Sequence, residues 1–463
     1  MTEQVREENK MGTVPVNRLL ISMSLPMMAS MLVQALYNIV DSIFVAKICE
    51  DALTAVSLAF PLQTLMISLA GGTCVGINAI LSKALGEKEY ERANSAARNG
   101  IFLSFLSYVF FLLVGLFAVE PYYRSLSNDP EIVEYGIQYM TIVCTCSFGI
   151  FGQFIFERLL TSTGRTFYTM ITQATGAVIN IIFDPIFIFG LLGAPKMGVR
   201  GAAVATVIGQ ICAAVLAFIF NNRKNPDVDI SMKGYRPDGK MIKEIYKIGI
   251  PSIIMQAIGS VMNYLMNKIL LGFSSTSAAV FGVYYKLQSF IFMPIFGLNG
   301  GMVPIIAFNY GAKKKDRLMK TWKLGWLYAT ILMVIGTIAF ELIPSILLGM
   351  FEASDEMLRI GVPALRIIGI HFPVAAFCIV TGTLFQALGK SVYSMVTSIM
   401  RQLVVLLPAA YLLSLLGEVT YVWWAFPIAE IMSAAATVFY FFRLKKNTLN
   451  TISIVSLSDE HEC

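Results

Sequence analysis

The chain of 463 residues is 56% hydrophobic and only 14% charged, with a mean hydropathy of +0.69 and a net charge of +6. Soluble proteins carry about 25% charged residues, so this surface cannot all face water, and a protein dissolved in lipid is expected in place of a water-soluble globule. The seven Cys lie mostly inside apolar stretches, and their spacing suits neither a zinc site nor a disulfide framework.

In chain order, the first sixteen residues are polar and the apolar run after them is too long for a signal h-region, so no cleavable signal peptide is expected. Eight windows contain no Asp, Glu, Lys or Arg: 19–40, 52–82, 99–119, 135–156, 201–222, 248–267, 287–312 and 367–389. Each can cross a bilayer, for which about 20 residues suffice. Shorter or interrupted windows at 166–183, 324–340, 402–417 and 419–442, the last broken by Glu430, complete twelve spans. The spacing predicts an all-α integral membrane protein with a six-helix lobe over 1–222, a linker at 223–243, a second six-helix lobe over 244–443 and a tail at 444–463. The basic stretch 223–247, with Asn225-Pro226 and Pro237-Asp238-Gly239, reads as a solvated loop.

Of the 35 Lys and Arg, 26 fall in segments on the side of the amino terminus and 5 in the alternate loops. The positive-inside rule then places both termini in the cytoplasm of a multi-pass protein of the cell (inner) membrane. The net positive charge is that of loops beside anionic lipid, and no nucleic-acid partner is expected.

A shift of 225 residues lays the chain on itself. Pro26 falls on Pro251, Asn38 on Asn263 and Gln63 on Gln288, while Gly72, Gly76 and Gly86 fall on Gly297, Gly301 and Gly311. Matched Pro, Asn, Gln and Gly at one offset exceed what two apolar halves share by chance. Six spans per half is an even number, so both halves enter the membrane in the same sense. This is the parallel repeat plan of secondary transporters, with a pseudo-two-fold along the membrane normal and substrate sites between the halves.

Ionisable groups inside spans are costly and mark function. Gln34, Asn38 and Asp41 form a polar stripe at i, i+4 and i+7 on helix 1, and Gln173, Asn180 and Asp184 form another on helix 5. The two carboxylates lie roughly 10 Å below the same surface, which suggests a shared polar pocket. Buried carboxylates can exchange a proton near neutral pH, and with amide oxygens beside them they can ligate Na⁺. The repeat-related positions are Met266 and Ala409, so the coupling carboxylates are expected in the first half alone. There, Asn38 and Asn180 join Asp41 and Asp184. The second half offers Asn263, Asn267, Lys286, Arg401 and Glu430, the last three read either as a buried ion-pair cluster or as a structural lock. With Gln34, Gln63, Gln173 and Gln288 these residues are the candidate lining of a substrate cavity. Glu157, near a cytoplasmic helix end, reads as interfacial. Neither His371 nor His461 has a metal-binding companion. Gly389-Lys390-Ser391 lacks the P-loop glycine, whose place is taken by Leu384, and no H-E-x-x-H or G-x-S-x-G pattern appears, so neither an enzyme nor a cofactor is expected.

These segments resemble the multidrug and toxic compound extrusion (MATE) transporters, in their bacterial MepA-like and DinF-like branches. The resemblance runs from about residue 16 to 443. It is carried by Leu36-Tyr37-Asn38-Ile39-Val40-Asp41, Asn180-Ile181-Ile182-Phe183-Asp184-Pro185, Gly297-Leu298-Asn299-Gly300-Gly301, Asn309-Tyr310-Gly311-Ala312, Phe385-Gln386-Ala387-Leu388-Gly389 and Arg401-Gln402. It implies efflux of bulky, often cationic organic compounds by a monomer in the lipid bilayer, in exchange for H⁺ or Na⁺, with two lobes alternating in access. It also implies a cation site at Asp41, Asn180 and Asp184. Some members use a helix-6 hydroxyl there. Ala202 and Ala203 stand in that neighbourhood here, which favours H⁺ over Na⁺. The alternative reading is a flippase for lipid-linked sugars or polysaccharides, which needs several cationic residues in its cavity. Lys286 and Arg401 are the candidates.

Overall fold

A computed structural model describes residues 9–351 and 353–450. His461 and the end of the tail lie outside the described residues. Among those described, all regular structure is helical. Ten helices are long and apolar enough to cross a membrane, and two bent pairs complete twelve spans. In the first half these are α1 (Val16–Ala46), α2 (Glu50–Gly86), α3 (Tyr90–Phe117), α4 (Pro130–Thr145 and Phe148–Ser162, bent by 44°), α5 (Thr166–Phe189) and α6 (Val199–Lys224). In the second half they are α7 (Gly239–Leu271), α8 (Ser275–Gly311), α9 (Lys315–Leu342), α10 (Asp355–Gly369 and Phe372–Ala387, bent by 50°), α11 (Ser391–Ser414) and α12 (Val419–Leu449). Large apolar side chains such as Leu25, Phe60, Phe117, Leu412 and Phe439 stand more than half exposed. Water would penalise such a surface, whereas lipid solvates it.

The repeat reaches the helix ends. Cys49 Sγ caps α2 at the Ala52 N–H (3.4 Å), and Ser274 Oγ, 225 residues on, caps α8 at the Ser277 N–H (3.0 Å). Asp129 caps α4 at the Glu131 N–H (2.9 Å), and Ser354 caps α10 at the Met357 N–H (3.2 Å). The residue types differ and the function is the same, since each side chain accepts from an orphan N–H of the first turn. The turns after α2 and α8 pass through positive φ at Lys88 (61°) and Lys313 (57°), and those after α4 and α10 do so at Gly164 (86°) and Gly389 (73°).

The chain divides into two compact units, Leu25–Gly249 and Met1–Ser24 with Ile250–Cys463. The boundaries within α1 and α7 are themselves one repeat apart and fall immediately before Pro26 and Pro251. The division therefore runs through two helices and not through the linker. Repeat-matched glycines seat the leading segments. In one unit, a Cβ on Gly301 would lie 2.5 Å from Ser24 Oγ and 2.9 Å from the Ser24 backbone, and Ser24 Oγ donates to the Leu298 carbonyl (3.3 Å). In the other, a Cβ on Gly76 would lie 2.3 Å from the Ile245 carbonyl oxygen. Only glycine lets the backbones approach this closely.

Most linker residues are exposed, in keeping with a solvated loop, and a few of them tie it to α3 and the α4–α5 turn. Asn99 Oδ1 accepts from Tyr235 Oη (2.8 Å) and the Asp238 N–H (3.1 Å), and Asn94 Oδ1 accepts from the Asp229 N–H (2.8 Å). Arg98 pairs with Asp229 (2.6 Å) and Arg165 with Asp227 (2.9 Å). Asn94, Arg98 and Asn99 lie at helical spacing on α3. They supply backbone partners that composition alone does not reveal.

Candidate functional site

Glycines on α5 and α6 set the first site. A Cβ on Gly176 would meet the Gly209 carbonyl at 3.0 Å, one on Gly209 would meet that of Gly176 at 2.6 Å, and one on Gly201 would meet the backbone of Phe187 at 2.5 Å. This seam brings Asn180 of α5 against Thr206 of α6. The Asn180 amide is oriented with Nδ2 donating to Asp184 Oδ2 (3.1 Å) and Oδ1 accepting from Thr206 Oγ1 (3.2 Å) and the Thr206 N–H (3.1 Å). The reverse orientation would aim an oxygen at a carboxylate and an NH₂ at an N–H.

Asp184 is 0% exposed. Asp41 and Asp184 are each five residues before the end of their helix. Their carboxyls lie against each other, close enough for a hydrogen bond when one holds a proton. Asp41 Oδ1 is buried with no hydrogen-bond partner among the described residues. Two adjacent carboxylates with an unpartnered oxygen form a site that a proton or a small cation completes.

The phenols of Tyr37 and Tyr139 lie within electrostatic range of Asp41, and Gln63 Nε2 donates to Tyr139 Oη (3.1 Å). The polar face of α1 is thus Gln34, Tyr37 and Asp41, at i, i+3 and i+7. Asn38 is exposed, with its carbonyl accepting from Ser42 Oγ (2.8 Å). Tyr37 joins the Gln34, Asn38 and Asp41 stripe expected from sequence, whose Asn38 is its exposed member. The helix-6 hydroxyl is present as well, at Thr206, one turn beyond Ala202 and Ala203, both of which are fully buried.

Glu157 is buried and accepts from Gln153, Thr172 and Gln173, so its reading as interfacial is also corrected. Gln34, Gln173 and Glu157 line a cavity of about 140 Å³ that also reaches Asn180 and Thr206.

In the other unit, Met400–Leu406 forms a π-helical segment within α11, an irregularity often found at functional sites. It carries Arg401, whose Nη1 lies 3.4 Å from Oε2 of buried Glu430. Lys286 does not complete the expected cluster. It is exposed and sits over the Phe351 ring, 5.9 Å from its centre. One cation suffices for one buried carboxylate, and the Lys286 side chain lies outside the packed interior. Asn267 donates to the Asn263 carbonyl (2.9 Å), Gln288 is half-buried, and Met266 is fully buried. His371 is buried against Phe372 and Phe426, and no cluster with metal-ligand character occurs among the described residues.

The family model described as MatE matches residues 26–186 and again 251–412, two stretches in the 225-residue register of the repeat. Over 451 residues the chain is 27% identical to Multidrug export protein MepA of Staphylococcus aureus (strain bovine RF122 / ET3-1), covering 95% of this chain and 97% of that protein. The MepA of Staphylococcus saprophyticus is 27% identical over 433 residues, 91% of this chain and 92% of that protein. Among solved structures, one described as the outward-facing conformation of a multidrug resistance MATE family transporter of the MOP superfamily superposes with a TM-score of 0.90. It is 25% identical and covers 97% of this chain and 100% of its own. A MOP superfamily transporter from Pyrococcus furiosus, described as having a reversed binding-pocket polarity that suggests a different function, shares the fold at a TM-score of 0.87 and 24% identity. It covers 97% of this chain and 100% of its own.

Proposed function

Because this chain belongs to the MatE family, we propose that it is a secondary active efflux transporter that exports bulky, often cationic organic compounds by alternating access, driven by H⁺. The observation that carries this reading is the closed cluster of Asp41, Asp184, Asn180 and Thr206 inside one unit, in a chain whose relatives are multidrug export proteins. A coupling group must bind the driving ion in one state and release it in another, and two touching carboxylates that cannot both stay ionised in a dry site do so with a proton. The Thr206 hydroxyl favours a second reading, in which Na⁺ is the driving ion on the same residues, with the Asn180 amide turned so that its oxygen faces the carboxylates. Pairing of Arg401 with Glu430 leaves a flippase short of the cations that it would need for a pyrophosphate.

Proteoliposomes loaded with a cationic dye separate these readings. An imposed pH gradient alone should drive dye movement, and a Na⁺ gradient at constant pH should not. Movement under the Na⁺ gradient alone would assign the site to Na⁺, and movement under neither would refute ion-coupled efflux. The inward-facing amino terminus is tested on a cysteine-free background. A membrane-impermeant maleimide added outside whole cells should label Asn128→Cys and spare Lys233→Cys, both of which are exposed. The opposite pattern would invert the topology.

A further inference from the structure

Glu157 takes no part in the Asp41–Asp184 cluster, yet it is 5% exposed. Its Oε1 accepts from Gln153 Nε2 (3.1 Å) and Thr172 Oγ1 (2.8 Å), and its Oε2 accepts from Gln173 Nε2 (2.9 Å). Neutral donors hold a carboxylate without neutralising it. Each glutamine can also turn its amide and accept, so the same shell accommodates the protonated acid. Gln173 Oε1 is buried with no partner, ready for that role.

Glu157 lines the 140 Å³ cavity whose other wall holds Asn180 and Thr206, the residues that contact Asp184 or its partner. Gln34, Gln153, Gln173, Gln210 and Thr161 share the lining with apolar side chains, and the cavity has room for several waters that these polar groups can hold. Gln173 precedes Asp184 by eleven residues on α5, about 16 Å along the helix. At the Glu157 end, α4 finishes five residues later at Ser162, and Arg165 ties the next turn to Asp227 of the linker.

We propose that Glu157 is a second proton-carrying carboxylate, through which a proton leaves the Asp41–Asp184 site toward the linker end of this unit. The proposal rests on the proton-coupled reading given above. An O–H bond at Asp184 breaks and its proton passes, beside Asn180 and Thr206, to the cavity water. A proton from that water binds a Glu157 oxygen, leaving Asp184 as a carboxylate. Glu157 then gives its proton to bulk water at the linker end and returns to its starting charge. The groups facing Glu157 are Arg158 on its own helix, Cys74 of α2, neutral Thr172 and Gln173 of α5, and neutral Gln34 and Gln210 of α1 and α6. Arg158 is the one charged neighbour among them.

The test uses the full chain in proteoliposomes with Glu157→Gln, Glu157→Asp and Asp184→Asn. Glu157→Gln should lower dye transport driven by a pH gradient at least tenfold while leaving dye–dye exchange, which needs no net proton release, within twofold of wild type. Glu157→Asp should restore most of the lost transport. Infrared difference spectra between low and high pH should lose one carboxyl band in Glu157→Gln. Equal losses of gradient-driven transport and exchange in both Glu157 variants would make the residue structural and overturn the proposal. So would wild-type gradient-driven transport in Glu157→Gln. Unimpaired gradient-driven transport in Asp184→Asn would instead sink the site assignment on which the proposal rests. If Glu157→Gln does not insert, a wild-type carboxyl band that persists unshifted in Glu157→Asp overturns the proposal, and a shifted band sustains it.

Discussion

Asp41→Asn and Asp184→Asn should each abolish efflux driven by a pH gradient while the protein still folds and binds its drug. Asparagine keeps the shape and a hydrogen-bonding oxygen but cannot gain or lose a proton, so the pocket is frozen in one electrostatic state. On the proposed coupling, drug favours the deprotonated pocket and a proton favours release, so drug affinity should weaken as pH falls. Coupling of this kind is typically worth about 1–3 kcal/mol, or roughly 5–150-fold in affinity. Dye binding to purified protein should therefore weaken by such a factor toward acid in the wild type and stay flat in both variants. Asp129→Asn is the control. Asp129 is an exposed helix cap at the start of α4, and asparagine caps equally well. Full gradient-driven transport by the double variant Asp41→Asn/Asp184→Asn would move attention to Glu430.

Gly76→Ala should destabilise the protein by about 3 kcal/mol, measured as loss of thermal stability in detergent. The added Cβ would stand 2.3 Å from the Ile245 carbonyl oxygen, which is backbone and cannot swing aside. Overpacking of this kind typically costs about 1–3 kcal/mol. Gly282→Ala is the matched control. It lies within α8, has nothing within 4 Å of the added carbon, and should gain about 0.5–1 kcal/mol from helix propensity alone. Equal responses at the two positions would mean that the segment around Ile245 is not seated on α2.

The spans, the repeat and the Asp41–Asn180–Asp184 group were legible because lipid imposes a strong apolar signal and leaves each ionisable residue conspicuous. Thr206 was missed because the depth of α6 against α5 is fixed by Gly176, Gly201 and Gly209, and small residues do not announce which backbones they admit. Tyr37 was missed because a tyrosine in an apolar helix looks like ordinary packing, although its i+4 relation to Asp41 was in plain view. Glu157 lies close to a helix end along the chain, and only the return of α5 past α4 covers it with Thr172 and Gln173. Lys286 was grouped with Arg401 and Glu430 by charge, whereas the side chain's length lets it leave the apolar interior. The ties between linker and α3 depend on Asn94 and Asn99, whose partners lie more than a hundred residues away.

The exchange of leading segments bears on how the protein is made. Residues Met11 and Val14 reach their partners only when Asn309 and Arg317 exist, since Asn309 Nδ2 donates to the Met11 carbonyl (3.1 Å) and Arg317 Nη2 to the Val14 carbonyl (2.6 Å). Those pairs are separated by 298 and 303 residues. At translation speeds of about 5–20 residues per second, the amino-terminal segment waits roughly 15–60 s after leaving the ribosome before its seat is synthesised. The linker has no such wait, because α2 and α3 precede it. The first unit can therefore close as soon as 239–249 emerge, whereas the second cannot be completed by its own half of the chain and must recover residues made about 300 positions earlier.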